Sequence, residues 1–493
     1  MRMKTFLVCL FVVATCLLVE ADGFLVSPNQ DGPPSTYPEH WFHQKLDHFN
    51  VVDTRYWKQR YYINDKFYRA GGPVFLFIGP QTELTPAVFT GNGAWLEYAK
   101  TYHAIGFAVE QRFYGSSHPT PNLSVDNLQY LSVEQSLVDL ATFIVATNKE
   151  RNFTNAKWIS FGGSYSGMMS TWLRYKFPHL VTGAVADSPP LAAPVFAKEY
   201  SIAIGEDLRT ESGCYEATSA IFDDIRASLK TEAGVRKLQS LFRLCDFDAS
   251  NKLDVENMMM YLRDLIGWSA MFNTDANVMS PVPIRYVSSV CKVLTDKTIG
   301  TPLERLARFG EVIYHNYTAM NGQCRNMTFE ARLNLGRDVK YGNSNVLSAR
   351  QWMYQKCTHM GLFTPSSGSN QPFGEAVSEE YFLKICEGYF GPSFNRSLIM
   401  KGHDELITNY GGLDIKVTNI IHTQGSFDPW TKYGFTQDPH PEAYVILING
   451  GGHTPDMAVP SSVESADVTL ARAKIQRLIG QWIASGPTVS IVG

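Results

Sequence analysis

Only 18% of the 493 residues are charged, and they form no block or stripe of lysine and arginine. With 43 basic against 47 acidic residues the formal net charge is −4, so neither a nucleic acid nor an anionic membrane finds a basic footprint. Close C-x-x-C pairs are absent, which removes the usual zinc frameworks; no metal and no cofactor is expected. Beyond Val19 no apolar run is long enough to cross a bilayer, so stable membrane insertion is not expected. Internal repeats and low-complexity tracts are also missing, which excludes a repeat array. A chain of this length has room for a large core in a two-part fold.

What is present begins with a leader. Arg2 and Lys4 precede an apolar stretch from Phe6 to Val19, and the small Ala21 offers a cleavage site, the pattern of a signal peptide over residues 1–21. The stretch is short for a membrane anchor. Cys9 and Cys16 lie in this leader. The remaining six cysteines, Cys214, Cys245, Cys291, Cys324, Cys357 and Cys386, predict up to three disulfides, with their pairing open. Sequons at Asn122, Asn152, Asn316, Asn326 and Asn395 predict a glycoprotein of the secretory pathway, secreted or lysosomal.

After a Pro-rich stretch at residues 27–38, apolar runs alternate with helical patterns. Runs at 72–80, 104–112, 157–162 and 181–188 read as buried strands; 133–145 and 168–177 have helical spacing. Such alternation predicts a parallel sheet covered on both faces. From about residue 196 the texture becomes helical, as in 255–268, and it holds all six cysteines. Strand-like runs return at 417–423 and 442–449, and 465–483 reads as a closing amphipathic helix. The expectation is an α/β fold, specifically an α/β-hydrolase domain (22–195 and 402–493) interrupted by a mostly helical, disulfide-bearing cap (196–401).

The stretch F-G-G-S-Y-S-G-M (161–168) lies between a strand and a helix. A nucleophile elbow needs small residues around a serine, because strand and helix backbones approach closely there. Centring the pattern on Ser164 puts Gly162 and Ser166 at the small positions; centring it on Ser166 puts the bulky Met168 there. Ser164 is therefore the expected nucleophile, with the N–H of Tyr165 as an oxyanion donor. Chain order in this fold is serine, acid, histidine. G-S-F-D-P-W (425–430) offers Asp428 just after a strand, and G-G-H-T-P-D-M (451–457) offers His453 after the next. Asp187 is an alternative acid. His422 reads as a core residue, while His403, His440 and Asp456 read as loop or surface.

These pieces, with Q-K-L-D-H-F (44–49), V-E-Q-R-F-Y-G-S-S (109–117) and R-Q-W-M-Y-Q-K-C-T (350–358), make the chain resemble the serine carboxypeptidase S28 family. That family includes lysosomal Pro-X carboxypeptidase, dipeptidyl peptidase 2 and thymus-specific serine protease, and Gln59 to Ile144 is most similar to the last. The resemblance implies cleavage of short peptides near one end, often after proline, through an acyl-enzyme on Ser164, Asp428 and His453. Apolar walls for a proline pocket are expected from Met168, Trp430 and Met457, with Trp352 and Tyr354 in the cap motif over the site. Three positions depart from the family pattern: Gln111 for a histidine, Asp187 for a small residue, and His359 for an acid. The last leaves amino- against carboxy-terminal trimming open. Asp187, if near His453, would raise that histidine's pKa. Partners are short peptides; the oligomeric state is open, a homodimer included. An esterase and a catalytically silent binding glycoprotein on the same fold are the alternatives.

Overall fold

The computed structural model describes residues 37–89, 93–273, 286–313, 324–342, 349–462 and 464–485. The expected signal peptide at 1–21 and the sequon at Asn316 lie outside these residues. An eight-stranded sheet organises the chain. Its strands are β1 (His40–Lys45), β2 (Tyr56–Asn64), β3 (Val74–Ile78), β4 (Ile105–Val109), β5 (Trp158–Gly163), β6 (Gly183–Asp187), β7 (Ile420–Gly425) and β8 (Ala443–Ile448). They lie in the order β1-β2-β4-β3-β5-β6-β7-β8. β2 is antiparallel to both β1 and β4, and every later pairing is parallel. This is the α/β-hydrolase architecture.

Strands β3 to β7 are buried at every residue, as expected for strands covered on both faces. Period-two alternation divides their side chains between two cores. Val74, Leu76, Ile105 and Phe107 pack with Leu140 and Phe143 of helix α2 (Val133–Glu150) and with Trp172 and Leu173 of α3 (Tyr165–Lys176). Phe75, Phe77, Ile159 and Phe161 face the opposite way, toward Trp95 of α1 (Ala94–Tyr102) and toward the closing helix α7 (Ala466–Ala484). The latter buries Val468, Ala471, Ile475, Leu478, Ile479 and Trp482, the face anticipated from their spacing. Ser465 caps its N-terminus by accepting from the Val468 N–H.

Between β6 and β7 the regular elements among the described residues are helices, from α4 (Glu199–Leu208) through α5 (Lys252–Met271) to α6 (Arg396–Tyr410), joined by loops and one short pairing of Leu244–Cys245 with Arg325–Asn326. Three disulfides fasten this cap: Cys214–Cys291, Cys245–Cys324 and Cys357–Cys386. Pairing that the cysteine count alone left open is thereby assigned. The first two close long loops, with separations of 77 and 79 residues. Bonds of that kind contribute roughly 2–4 kcal/mol each, by restricting the unfolded chain.

Candidate active site

Strand β5 runs into α3 through a turn only small residues allow. A Cβ on Gly162 would lie 2.2 Å from the Ser166 carbonyl oxygen. Ser164 itself stands at φ 57°, ψ −123°, a backbone region costly to a non-glycine residue. Two hydrogen bonds hold it there. Its N–H donates to the Asp187 carbonyl at 2.8 Å, and its carbonyl accepts from the Met168 N–H at 3.0 Å. The Ser164 side chain is half-buried at the N-terminus of α3, where the first N–H groups have no helical partner. Ser166, by contrast, is buried, and its hydroxyl donates to the Gly79 carbonyl at 2.7 Å. Gln111 donates to that same carbonyl at 2.7 Å, so this departure from the family pattern has a structural partner.

Asp428 follows β7 and caps a short 3-10 helix, Pro429–Tyr433; its Oδ1 accepts from the Trp430 N–H at 3.0 Å. Its Oδ2 accepts from His453 Nδ1 at 2.7 Å, and both side chains are almost wholly buried. That bond places the proton of neutral His453 on Nδ1 and leaves Nε2 bare. The His453 loop packs over the elbow: a Cβ on Gly163, just before Ser164, would come within 2.4 Å of Met457 Sδ and 2.9 Å of the Thr454 methyl. The Thr454 N–H donates to Ser188 Oγ at 2.9 Å. From the cap, the last residue of α5 reaches the same loop. The His453 N–H donates to the Met271 carbonyl at 2.5 Å, and the Phe272 ring stands edge-on to the imidazole at 6.4 Å. Asn273 Nδ2 adds a bond to the Gly450 carbonyl at 2.8 Å.

The R-Q-W-M-Y-Q-K-C-T motif of the cap meets the residue after Ser164. Gln355 donates to the Tyr165 hydroxyl at 2.7 Å and accepts from the Tyr114 hydroxyl at 2.5 Å. Trp352 packs on Tyr165, ring centres 5.3 Å apart, while Tyr354 packs on Phe390 and Phe394 within the cap. Met168 is buried in the core, Trp430 lies against Tyr200 at 4.8 Å, and Met457 is half-buried beside the elbow. His359 is held neutral, its pKa pushed down to about 4 by burial, and Thr358 Oγ1 lies 2.8 Å from its Nδ1. His422 is fully buried in β7, its pKa pushed down to about 3 by burial. His403 meets the Ala193 carbonyl and His440 the Pro441 carbonyl. Asp456, read as loop or surface from the sequence, is instead buried.

Sequence reasoning passed over Met271, Phe272, Gln355 and Asp207. The Asp207 carboxyl is pushed up to about 9, chiefly by burial and then by the neighbouring Asp428. Gln355 lies in the R-Q-W-M-Y-Q-K-C-T motif without standing out there, and the other three carry no motif; each matters through a neighbour distant in sequence.

The serine carboxypeptidase S28 family profile matches residues 44–475. The chain belongs to this family. It is 31% identical to thymus-specific serine protease of Mus musculus over 473 residues, covering 92% of this chain and 89% of that one. Lysosomal Pro-X carboxypeptidase of Mus musculus is 29% identical, covering 90% of this chain and 88% of its own. A Caenorhabditis elegans protein named as a serine protease is 32% identical over 92% of this chain and 86% of its own. This S28 chain is accordingly a serine peptidase, and peptides are its substrates.

Proposed function

We propose that this S28 peptidase removes residues from one end of short peptides, with cleavage next to proline, through an acyl-enzyme on Ser164. The observation that carries the reading is the buried Asp428–His453 pair at 2.7 Å on a loop packed over the strained Ser164 turn. Ser164 Oγ attacks the scissile carbonyl carbon while His453 Nε2 takes its proton. Negative charge develops on the carbonyl oxygen and is met by the Tyr165 N–H; one such donor is worth about 3 kcal/mol to the transition state. The intermediate collapses, the C–N bond breaks, and the imidazolium returns its proton to the leaving amine. Water then attacks the ester with His453 again as base, releasing the acid and restoring Ser164. Asp428 keeps the proton on Nδ1 throughout and stabilises the imidazolium.

Met168, Trp430 and Met457, with Trp352 and Tyr354 from the cap, are proposed as the apolar surroundings of the substrate. We assign the division 22–195, 196–401 and 402–493 to hydrolase domain, cap and hydrolase domain. Disulfides in the cap fit maturation in the secretory pathway. Asn152, Asn326 and Asn395 are exposed and fit glycan attachment, with Asn122 half-buried.

The test is covalent labelling of the glycosylated protein with a serine-hydrolase phosphonate, followed by peptide mass spectrometry and a panel of proline-containing peptides. Label on Ser164 and trimming from one end are expected. No label in folded protein would favour the silent glycoprotein, and turnover of simple esters without peptides would favour the esterase.

A further inference from the structure

Beneath the elbow lie two carboxyl groups that the proposed mechanism does not use. Asp187 ends β6 and is 1% exposed; Asp456, three residues after His453, is 3% exposed. The two carboxyl groups line the same cavity and are close enough for Asp456 to act directly on Asp187. Asp187 Oδ2, Asp456 Oδ1 and the Tyr98 hydroxyl have no hydrogen-bond partner among the described residues, since two carboxylates offer each other no proton. All three residues line one small cavity of about 20 Å³, walled by Phe77, Trp95, Phe161 and Val185. That is room for about one water molecule.

Two buried carboxylates within hydrogen-bonding reach cannot both be ionised, because neither then has a proton to donate and like charges face each other in a low dielectric. Among the described residues, no cation is hydrogen-bonded to either carboxyl group. Ser188 Oγ donates to Asp187 Oδ1 at 3.3 Å, and the Thr423 hydroxyl of β7 and Tyr98 of α1 are neutral. Arg472 of α7 donates Nε to the Asp456 carbonyl rather than to its carboxylate, and spends its other nitrogens on Glu464 and the Ala458 carbonyl. His453, the nearest histidine on the loop, is bonded to Asp428. Burial and Asp456 together push the Asp187 carboxyl well above the usual carboxylate range.

The pair also sits at a mechanical junction. The Asp187 backbone carbonyl holds the Ser164 N–H, and Ser188 Oγ, next along, accepts from the Thr454 N–H. The strand end that supports the serine is thus joined to the loop that carries the histidine. We infer that Asp187 and Asp456 are positioning residues: as a carboxylic acid–carboxylate pair sharing one proton, they clasp the His453 loop to the end of β6, and the clasp opens when that proton is lost. The inference rests on Ser164 and His453 being the reacting pair.

The experiment is the rate of phosphonate labelling of Ser164 in the full glycosylated chain, followed from about pH 5 to about pH 9, with kcat and KM on a peptide alongside. In the wild type the labelling rate and kcat should fall on the alkaline side, by about tenfold from their maximum, while KM changes little. Asp187→Asn supplies a non-titrating donor to Asp456, so its ratio of acid-side to alkaline-side rate should drop at least about fivefold relative to wild type. Asp456→Asn supplies the reciprocal donor and should do the same, which covers the case in which one variant fails to fold. A purely structural contact would lower the yield of folded protein, or the rate equally at every pH. A wild-type rate that holds to about pH 9, or variants that fall in parallel with it, would overturn the clasp. Absence of label on Ser164 at every pH would instead overturn the triad on which it rests.

Discussion

At the scale of the residue, two serines two positions apart have opposite surroundings. Ser164 is strained and half-buried; Ser166 is buried with its hydroxyl on Gly79. Ser164→Ala should lower kcat by at least about 10⁴-fold in a peptide assay. Ser166→Ala should keep most turnover and lose about 1 kcal/mol of stability in denaturant unfolding, the value of one buried hydrogen bond. Asp428→Asn leaves an amide that favours the wrong imidazole tautomer, so kcat should fall about 10⁴-fold with little change in KM. His422 acts on stability. Its folded-state pKa is depressed to about 3, so its contribution is whole above the ordinary histidine range and is lost as pH falls through that range toward 3. At about pH 4.5 it costs the wild type about 2–3 kcal/mol relative to neutral pH. The thermal midpoint of His422→Asn should therefore change less than wild type between about pH 7 and about pH 4.5.

At the scale of the element, the site is a meeting of strand ends with one cap helix. β5 leads to Ser164, β7 to Asp428 and β8 to His453, each past the strand's C-terminal end, where α/β sheets place their chemistry. α5 closes the arrangement through the Met271 carbonyl. A Cβ on Gly452 would come within 2.5 Å of both the Met271 oxygen and the Asn273 nitrogen, so that contact depends on glycine. Gly452→Ala should separate the cap helix from the His453 loop and lower kcat by roughly tenfold or more. The fold should survive, with a loss of about 1–3 kcal/mol read from the unfolding midpoint.

At the scale of the whole molecule, stability is divided unevenly. The sheet domain rests on two apolar cores, one on each face, while all three disulfides lie in the helical cap. Under a mild reductant, proteolytic cuts should therefore appear between residues 214 and 386 before any appear in the strands. A non-reduced control should resist the same protease, the difference reflecting roughly 2–4 kcal/mol per bond.

The sequence by itself determined the central strands and the Ser164 turn, and offered Ser164, Asp428 and His453 as candidates, because those features are local. A short apolar run such as V-F-L-F-I, closed at both ends by Gly and Pro, reads as a buried strand, and G-G-S-Y-S is a turn that tolerates little else. β1 and β2 were not legible, since as antiparallel strands near the sheet edge they mix exposed residues such as Trp41, His43 and Lys58 with buried ones, the charged Arg60 included. Disulfide pairing, the reach of Met271 to His453 and the burial of Asp187 and Asp456 beside one cavity were decided only by tertiary structure. Each joins residues far apart in the chain, and none has a spacing that encodes it. Asp456 shows the limit best: in sequence it is a polar residue in a Gly-rich loop, and only the closing of that loop over β6 takes it out of water and sets it against a second carboxyl.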